Sequence, residues 1–342
     1  GRAGAAECAA AVKADAYGTG IETTVPALAR AGCRSFFVAQ PAEGRRVRAA
    51  APQATVYVLN GLKPGCAPHY ARAGLRPVLG SREEVEEWAA FCRATGWSGG
   101  EALQVDTGMS RLGIPQEEAA AMAASGAAFS LVMSHLACAD DPEHPKSEAQ
   151  RASFDRLRAR LPKAIASLAN SAGILLGARY VYDLVRPGIA LYGGKPCRSG
   201  ANPFAPVVRL EGRILQVRNV GAGETVGYGA TRMLRDGARI ATVAVGYADG
   251  FFRALSAGDG VEGLVVSVEG HAAPVLGRVS MDLITIDVTG VPERVSRRGA
   301  WVELIGPNVT AQDIADRART IDYEVLTSLG RRAARRYVGG KG

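Results

Sequence analysis

Aromatic side chains make up only 6% of this chain, and they do not interleave with its basic clusters. A nucleic-acid surface needs a coherent basic face with stacking rings. The clusters at Arg45, Arg46 and Arg48 and at Arg331, Arg332, Arg335 and Arg336 therefore read as solvated surface, and no nucleic-acid partner is expected. Charge of one sign is not strongly in excess: 41 basic against 33 acidic residues give a dispersed +8, enough to attract an anionic ligand. No run approaches the ~18 uncharged apolar residues of a membrane span, so no membrane partner is expected either. The six cysteines (Cys8, Cys33, Cys66, Cys92, Cys138 and Cys197) form no CxxC pair and no zinc spacing. They suit a reducing cytoplasm, no metal is expected, and Cys138 reads as a buried small hydrophobe. There is no internal repeat, no low-complexity linker and no visible leader, although a start at Gly1 rather than Met gives the missing leader little weight.

What is present is a regular alternation. Short apolar runs at Ala9–Val12, Ser35–Val38, Thr55–Leu59, Pro77–Leu79, Ala102–Val105, Leu131–Ser134 and Leu184–Arg186 are separated by amphipathic stretches such as Ser81–Thr95 and Ser147–Leu161. Ser81 is a natural N-cap with Glu84 three residues on. About eight strand–helix units in ~200 residues is the cadence of an α/β TIM (β/α)8 barrel. The texture changes after the Pro/Gly-rich stretch Gly193–Pro206. Runs at Val207–Val217, Ala238–Val245, Gly263–Val268 and Leu283–Val288 alternate Val, Ile and Thr with polar residues. They predict a mostly antiparallel β domain, followed by a helix over Thr310–Arg319 with Thr310 and Asp313 as its cap. The expected division is residues 1–205 for the barrel and 206–342 for the β domain.

The strongest local signal is AVKADAYGTG, Ala11–Gly20. It places Lys13 at the C-terminal end of an apolar strand, the face on which a barrel builds its active site. A lysine there can form a Schiff base with an aldehyde cofactor. Standing alone, Lys13 reads as a surface lysine, Tyr228 as a half-buried strand tyrosine, His135 as a satisfied core histidine, Arg111 as half of a surface ion pair and Gly188 as a turn glycine.

The combined pattern says more. Ala11–Gly20 resembles the cofactor-lysine motif of alanine racemases. The resemblance continues in order through VDTGMSRLG (Val105–Gly113), SHLACAD (Ser134–Asp140), ANSAG (Ala169–Gly173), RPGIALYG (Arg186–Gly193), VGYGAT (Val226–Thr231), GYADG (Gly246–Gly250), GRVSMD (Gly277–Asp282) and YEVLTSLG (Tyr323–Gly330). It implies a TIM barrel plus a C-terminal β domain, pyridoxal 5'-phosphate as cofactor, and two-base racemisation of alanine that supplies D-alanine for peptidoglycan. By resemblance Lys13 and Tyr228 are the bases, and His135 and Arg186 extend a hydrogen-bond chain behind the tyrosine. Arg186 also partners the cofactor's ring nitrogen. Tyr17, Asn170, Ser171, Arg186, Gly188, Ile189 and Tyr323 join Lys13 in binding the cofactor. Arg111, Met281 and Tyr247 serve the substrate, and Asp140, Arg253 and Arg278 line the access corridor. The resemblance further implies a cytoplasmic homodimer with shared active sites.

Two departures stand out. Where the family usually has a lysine, often carbamylated, this chain has Gln104; Arg111 is then expected to be balanced by something else, such as chloride or water. The family also usually carries about 20–25 further residues before this start, so the β domain is expected to be short of one strand if they are absent. A serine or broad-specificity racemase on the same scaffold remains the alternative. Related decarboxylases pair the ring nitrogen with glutamate and use a β-domain cysteine, whereas Arg186 occupies that position here and no cysteine follows Cys197. A non-catalytic cofactor-binding protein could keep Lys13 without needing Tyr228.

Overall fold

The computed structural model describes residues 2–339. They form two compact units. One runs to Leu191 and includes Pro196–Pro203; the other holds Tyr192–Lys195 and Phe204–Gly339.

In the first unit, parallel neighbours run in chain order through Ala10–Ala11, Ser35–Val38, Thr55–Val58, Arg76–Leu79, Ala102–Asp106, Leu131–Met133 and Ile165–Ser167. The ring then closes. Asp183 and Arg186 donate backbone N–H bonds to Ala166 and Ala169, Leu184–Val185 pairs in parallel with Glu7–Cys8, and Ala9 and Ala11 donate to Val185 and Pro187. Side chains from successive strands (Ala9, Phe37, Tyr57, Val78, Ala102, Leu131, Leu184) fill the interior as one cluster, the packing expected of a small parallel barrel. Helices alternate with the strands. Ser81 caps Arg82–Thr95 by accepting from the Glu84 N–H, and the expected 147–161 helix lies at Lys146–Arg158.

The second unit is an antiparallel closed barrel of six strands, ordered Leu210–Val220, Ala238–Val243, Ile284–Asp287, His271–Leu276, Val265–Val268 and Trp301–Ile305. It closes because Leu210–Val220 pairs with Trp301–Ile305 through its first half and with Ala238–Val243 through its second, with a register shift between Ile214 and Gln216. Such a bulge bends one strand around a corner. The barrel thus closes on strands from within this unit. Val243, Val266, Val275, Ile286, Val302 and Leu304 pack its core. Thr310 caps the helix Ala311–Ala318 in a capping box with Asp313.

Glu303 is a buried acid on the strand Trp301–Ile305, on the opposite face from the core residues Val302 and Leu304. Its buried carboxylate accepts from the backbone N–H of Asn308 and Val309 at 2.6 and 3.1 Å and from the Asn308 side-chain amide at 3.1 Å. Glu303→Ala strands the buried Val309 donor and should cost roughly 2–3 kcal/mol, measured as a lower urea midpoint; an unchanged midpoint would show that the turn re-satisfies itself.

Candidate active site

Lys13 follows directly on a barrel strand: the N–H of Val12 still bonds the Phe37 carbonyl. The next four residues, Ala14, Asp15, Ala16 and Tyr17, have φ of 54°, 56°, 55° and 52°. This is a left-handed helical turn without glycine, and each such L-residue costs about 1–2 kcal/mol. Internal bonds (Ala16 N–H to Val12, Gly18 N–H to Ala14, Gly20 N–H to Asp15) and outside contacts offset that cost. Among the outside contacts, Glu43 Oε1 accepts the Ala14 N–H at 2.6 Å, and Arg46 Nη2 donates to Asp15 Oδ1 at 2.5 Å. Sustained strain of this kind concentrates at functional sites.

Around Lys13 the charge is positive. Burial lowers the Lys13 pKa, Arg111 and Arg186 lower it further, and Glu43 opposes them. Arg186 is 5% exposed. Its Nη1 donates to Ser167 Oγ at 2.5 Å, and its Nη2 donates to the Ser134 carbonyl at 2.6 Å and to His135 Nδ1 at 3.3 Å. Burial brings this guanidinium down to about 10, so it stays charged at neutral pH. Burial, then Arg186, Arg111 and Lys13, bring His135 down to about 3, so it is neutral.

Beside this group lies a cradle of amides and hydroxyls. The N–H groups of Gly188 and Ala190 converge on Ser171 Oγ at 2.9 and 3.3 Å, and a 3-10 turn starts at Ile189. A Cβ on Gly188 would fall on the Tyr17 hydroxyl, so glycine is what lets the buried Tyr17 approach. Asn170 caps the short helix behind, accepting from the Gly173 N–H at 2.8 Å. These donors suit a phosphate, and Lys13 supplies the amine that an aldehyde needs.

The remaining expected residues divide between the units. In the first, Arg111 is exposed in a loop pinned by Asp106, whose carboxylate accepts from Gly108, Met109 and Ser110. Gln104 does not reach for Arg111; it donates to the Leu112 carbonyl at 3.1 Å and so braces the same loop. Asp140 pairs with Arg198 at 2.6 Å. In the second unit, Tyr228, Tyr247 and Met281 are 74%, 43% and 53% exposed. Tyr228 sits in a 3-10 turn, not half-buried in a strand. Tyr247 and Ala248 donate to the Ser280 and Met281 carbonyls, which joins the GYADG and GRVSMD segments. Arg278 lies against the backbone of Gly229. Arg253 is exposed on its own 3-10 turn, and Tyr323 is half-buried on the helix Asp322–Thr327. Cys138 is half-buried, not buried as expected. No cluster of three or more His, Cys, Asp or Glu with metal-holding geometry occurs among the described residues.

Ser134, Ser167, Glu43 and Arg46 carry contacts that sequence reasoning did not assign. Ser134 lay inside a quoted motif. Nothing in the sequence pattern singled out Glu43, which reaches Ala14 from the helix Pro41–Ala50.

A parallel barrel with an amine at a strand end, a buried arginine and a phosphate cradle, joined in one chain to a β barrel, defines a pyridoxal-phosphate enzyme of the barrel class. The chain belongs to the alanine racemase family. Residues 1–196 match the alanine racemase N-terminal domain and residues 207–337 the C-terminal domain. An alanine racemase from Methylobacterium sp. (strain 4-46) is 53% identical over 98% of this chain and 92% of its own length. The crystal structure of alanine racemase from Bartonella henselae, with covalently bound pyridoxal phosphate, superposes at a TM-score of 0.92 with 40% identity, covering 98% of this chain and 94% of that one. The biosynthetic alanine racemase of Pseudomonas aeruginosa gives 0.89 and 34%, covering 98% and 93%.

Two measurements probe the site. Gly188→Ala should push the Tyr17 hydroxyl out of the cradle and weaken pyridoxal phosphate retention about 10- to 100-fold, the loss of one hydrogen bond to a charged group. Equilibrium dialysis checks this, and unchanged retention would remove Tyr17 from the cradle. The second concerns acid. His135 has a folded pKa of about 3 against 6.5 for the ordinary group. Between those values the unfolded chain binds a proton the folded one does not, so stability is lost as pH falls from 6.5 toward 3. In cofactor-free protein, His135→Gln should flatten that slope by at most about 1.4 kcal/mol per pH unit, read from urea unfolding at several pH values.

Proposed function

We propose that this protein interconverts L- and D-alanine on pyridoxal phosphate, with Lys13 and Tyr228 as its two proton carriers. The observation that carries the reading is the enclosed group of Lys13, Arg186 and neutral His135 beside the Tyr17–Ser171–Gly188 cradle. When bound, pyridoxal phosphate joins its aldehyde carbon to an amine and draws electrons from the adjacent Cα–H bond. Lys13 holds the cofactor and exchanges a proton on one face of Cα, and Tyr228 exchanges one on the other. Removal from one face with delivery to the opposite face inverts the centre without turning the substrate over.

A tyrosine is a weak base at neutral pH and needs support, which His135 can supply. Arginine has no acceptor, so the 3.3 Å contact makes His135 Nδ1 the lone-pair nitrogen and leaves the ring proton on Nε2. That N–H is then able to donate to a tyrosine oxygen and steady its anion. Arg186, as the ring-nitrogen partner, disfavours protonation of that nitrogen, which favours rapid proton return over side chemistry. Arg111 and the Met281 N–H take the substrate carboxylate. Asn170 and Ile189 complete the cradle with Tyr17, Ser171 and Gly188, and Tyr323 is assigned to cofactor binding. Tyr247 and Tyr323 narrow the approach, and Asp140, Arg253 and Arg278 line the corridor.

Tyr228, Tyr247 and Met281 stand exposed on the second unit, whereas Lys13 and its surroundings belong to the first. We assign Tyr228 and Met281 to the Lys13 site of a second copy, in a two-fold homodimer with two shared sites. Six free cysteines fit a cytoplasmic enzyme, and no helix among the described residues is long and apolar enough to cross a membrane. The D-alanine formed is assigned to peptidoglycan synthesis.

The purified protein should racemise L-alanine, and borohydride should fix the cofactor on Lys13 in peptide maps. Faster turnover of L-serine than of L-alanine would favour the broader racemase. For the shared site, inactive Lys13→Ala and inactive Tyr228→Phe chains are mixed and allowed to exchange. Half of the dimers should be mixed, each with one intact site, which restores roughly a quarter of wild-type activity. Exchange seen by mass spectrometry without returning activity would mean that each chain completes its own site.

A further inference from the structure

We infer that Glu43 is a positioning residue for Lys13, its carboxylate holding the backbone just beyond the lysine in the left-handed turn from which the amine is aimed. The inference rests on Lys13 as the cofactor lysine and adds a residue that the reading does not use.

Glu43 is the third residue of the helix Pro41–Ala50, and its Oε2 caps that helix by accepting from Ala39 and Gln40 at 2.9 and 3.1 Å. Capping needs no more than that oxygen. The other oxygen, Oε1, leaves the helix and accepts the Ala14 N–H at 2.6 Å. One carboxylate thereby ties the exits of two neighbouring barrel strands, Ala10–Ala11 and Ser35–Val38. The bonds inside the left-handed turn start from the N–H groups of Ala16, Gly18 and Gly20, so none of them engages the Ala14 donor. Ala14 is also the first residue with positive φ, the point at which the chain must leave the right-handed path. Three residues along the same helix face, Arg46 donates to Asp15 Oδ1 and to both Glu22 oxygens. Two adjacent residues of the turn are thus gripped by one helix, and Lys13 stands immediately before them. Released, the turn can relax toward an ordinary helix start, which would re-aim the amine; displacement of a reacting group by about 1 Å can cost on the order of 100-fold.

The test compares Glu43→Gln with wild type, and uses Ser81→Ala as the control for losing a helix cap alone, since Ser81 caps Arg82–Thr95 elsewhere in the barrel. Glutamine has one acceptor oxygen, and whichever way it turns its NH2 faces a backbone N–H on the other side, so the two-sided tie between the helix start and Ala14 is broken in either orientation. Amide hydrogen exchange is followed by mass spectrometry in cofactor-free and loaded protein, and kcat and KM for alanine are measured in parallel. Exchange over residues 13–18 should rise about tenfold or more in Glu43→Gln, kcat should fall about 10- to 100-fold, and KM should stay within about threefold. Ser81→Ala should lower thermal stability and leave kcat unchanged. Wild-type kcat in Glu43→Gln overturns the inference. So does a loss of kcat without faster exchange in the turn, which would make Glu43 a charge partner of Lys13, and so does a Glu43→Gln chain that fails to fold, which would make it a determinant of the fold. If wild type itself does not racemise alanine, the functional reading fails, while the exchange comparison still decides whether Glu43 holds the turn.

Discussion

The buried guanidinium of Arg186 is the contact on which most of the site depends. It leaves the barrel at the closing strand and reaches Ser167 on the neighbouring strand and Ser134 beyond it. Three strand ends are therefore held at fixed spacing by one side chain. A buried charge is tolerable only when hydrogen bonds offset its lost hydration, and the two serines and the His135 ring supply part of that compensation. The same bonds fix the tautomer of His135. A lysine here could offer neither the fork nor the planarity.

The left-handed turn after Lys13 is the second constraint, and it works in the opposite sense. Arg186 is stabilised by its surroundings, whereas Ala14–Tyr17 are held against their own preference. The energy comes from the neighbouring helix and from Tyr17, whose ring packs where only a glycine at position 188 leaves room. The lysine loop and the phosphate loop are thus coupled through a single aromatic contact. A change in either loop is felt in the other.

Much of the first barrel was legible because buried parallel strands read as unbroken apolar runs, as in Ser35–Val38. Ile165–Ser167 was not legible, since three residues with a serine do not make such a run. In the second unit His271–Leu276 carries Pro274, which argues against a strand, yet it pairs opposite Val265. Trp301–Ile305 hid behind Glu303, a buried acid satisfied by a turn that no pattern announces. At the site, residue types were readable from motifs but conformation was not. Nothing in Ala-Asp-Ala-Tyr suggests φ near +55°, because tertiary bonds impose it. The expected domain split already put Arg186 on one unit and Tyr228 and Met281 on the other; that the first is buried and the other two exposed was not visible in the linear pattern.

The charges around Lys13 explain what such a site can accept. Lys13, Arg111 and Arg186 are cations, and His135 next to them has lost its proton. Glu43 is the one carboxylate that opposes them at Lys13, and its oxygens are occupied by backbone donors. The local field therefore stays positive until a ligand brings negative charge. A phosphate at the amide cradle and a carboxylate near Arg111 would supply it at two separate points. A cofactor with a phosphate and a substrate with a carboxylate would meet both requirements. Burial is the main reason that Lys13 holds its proton less tightly, and the cations that invite the anionic ligand add to it; the amine is then neutral more of the time, which is what condensation with an aldehyde requires.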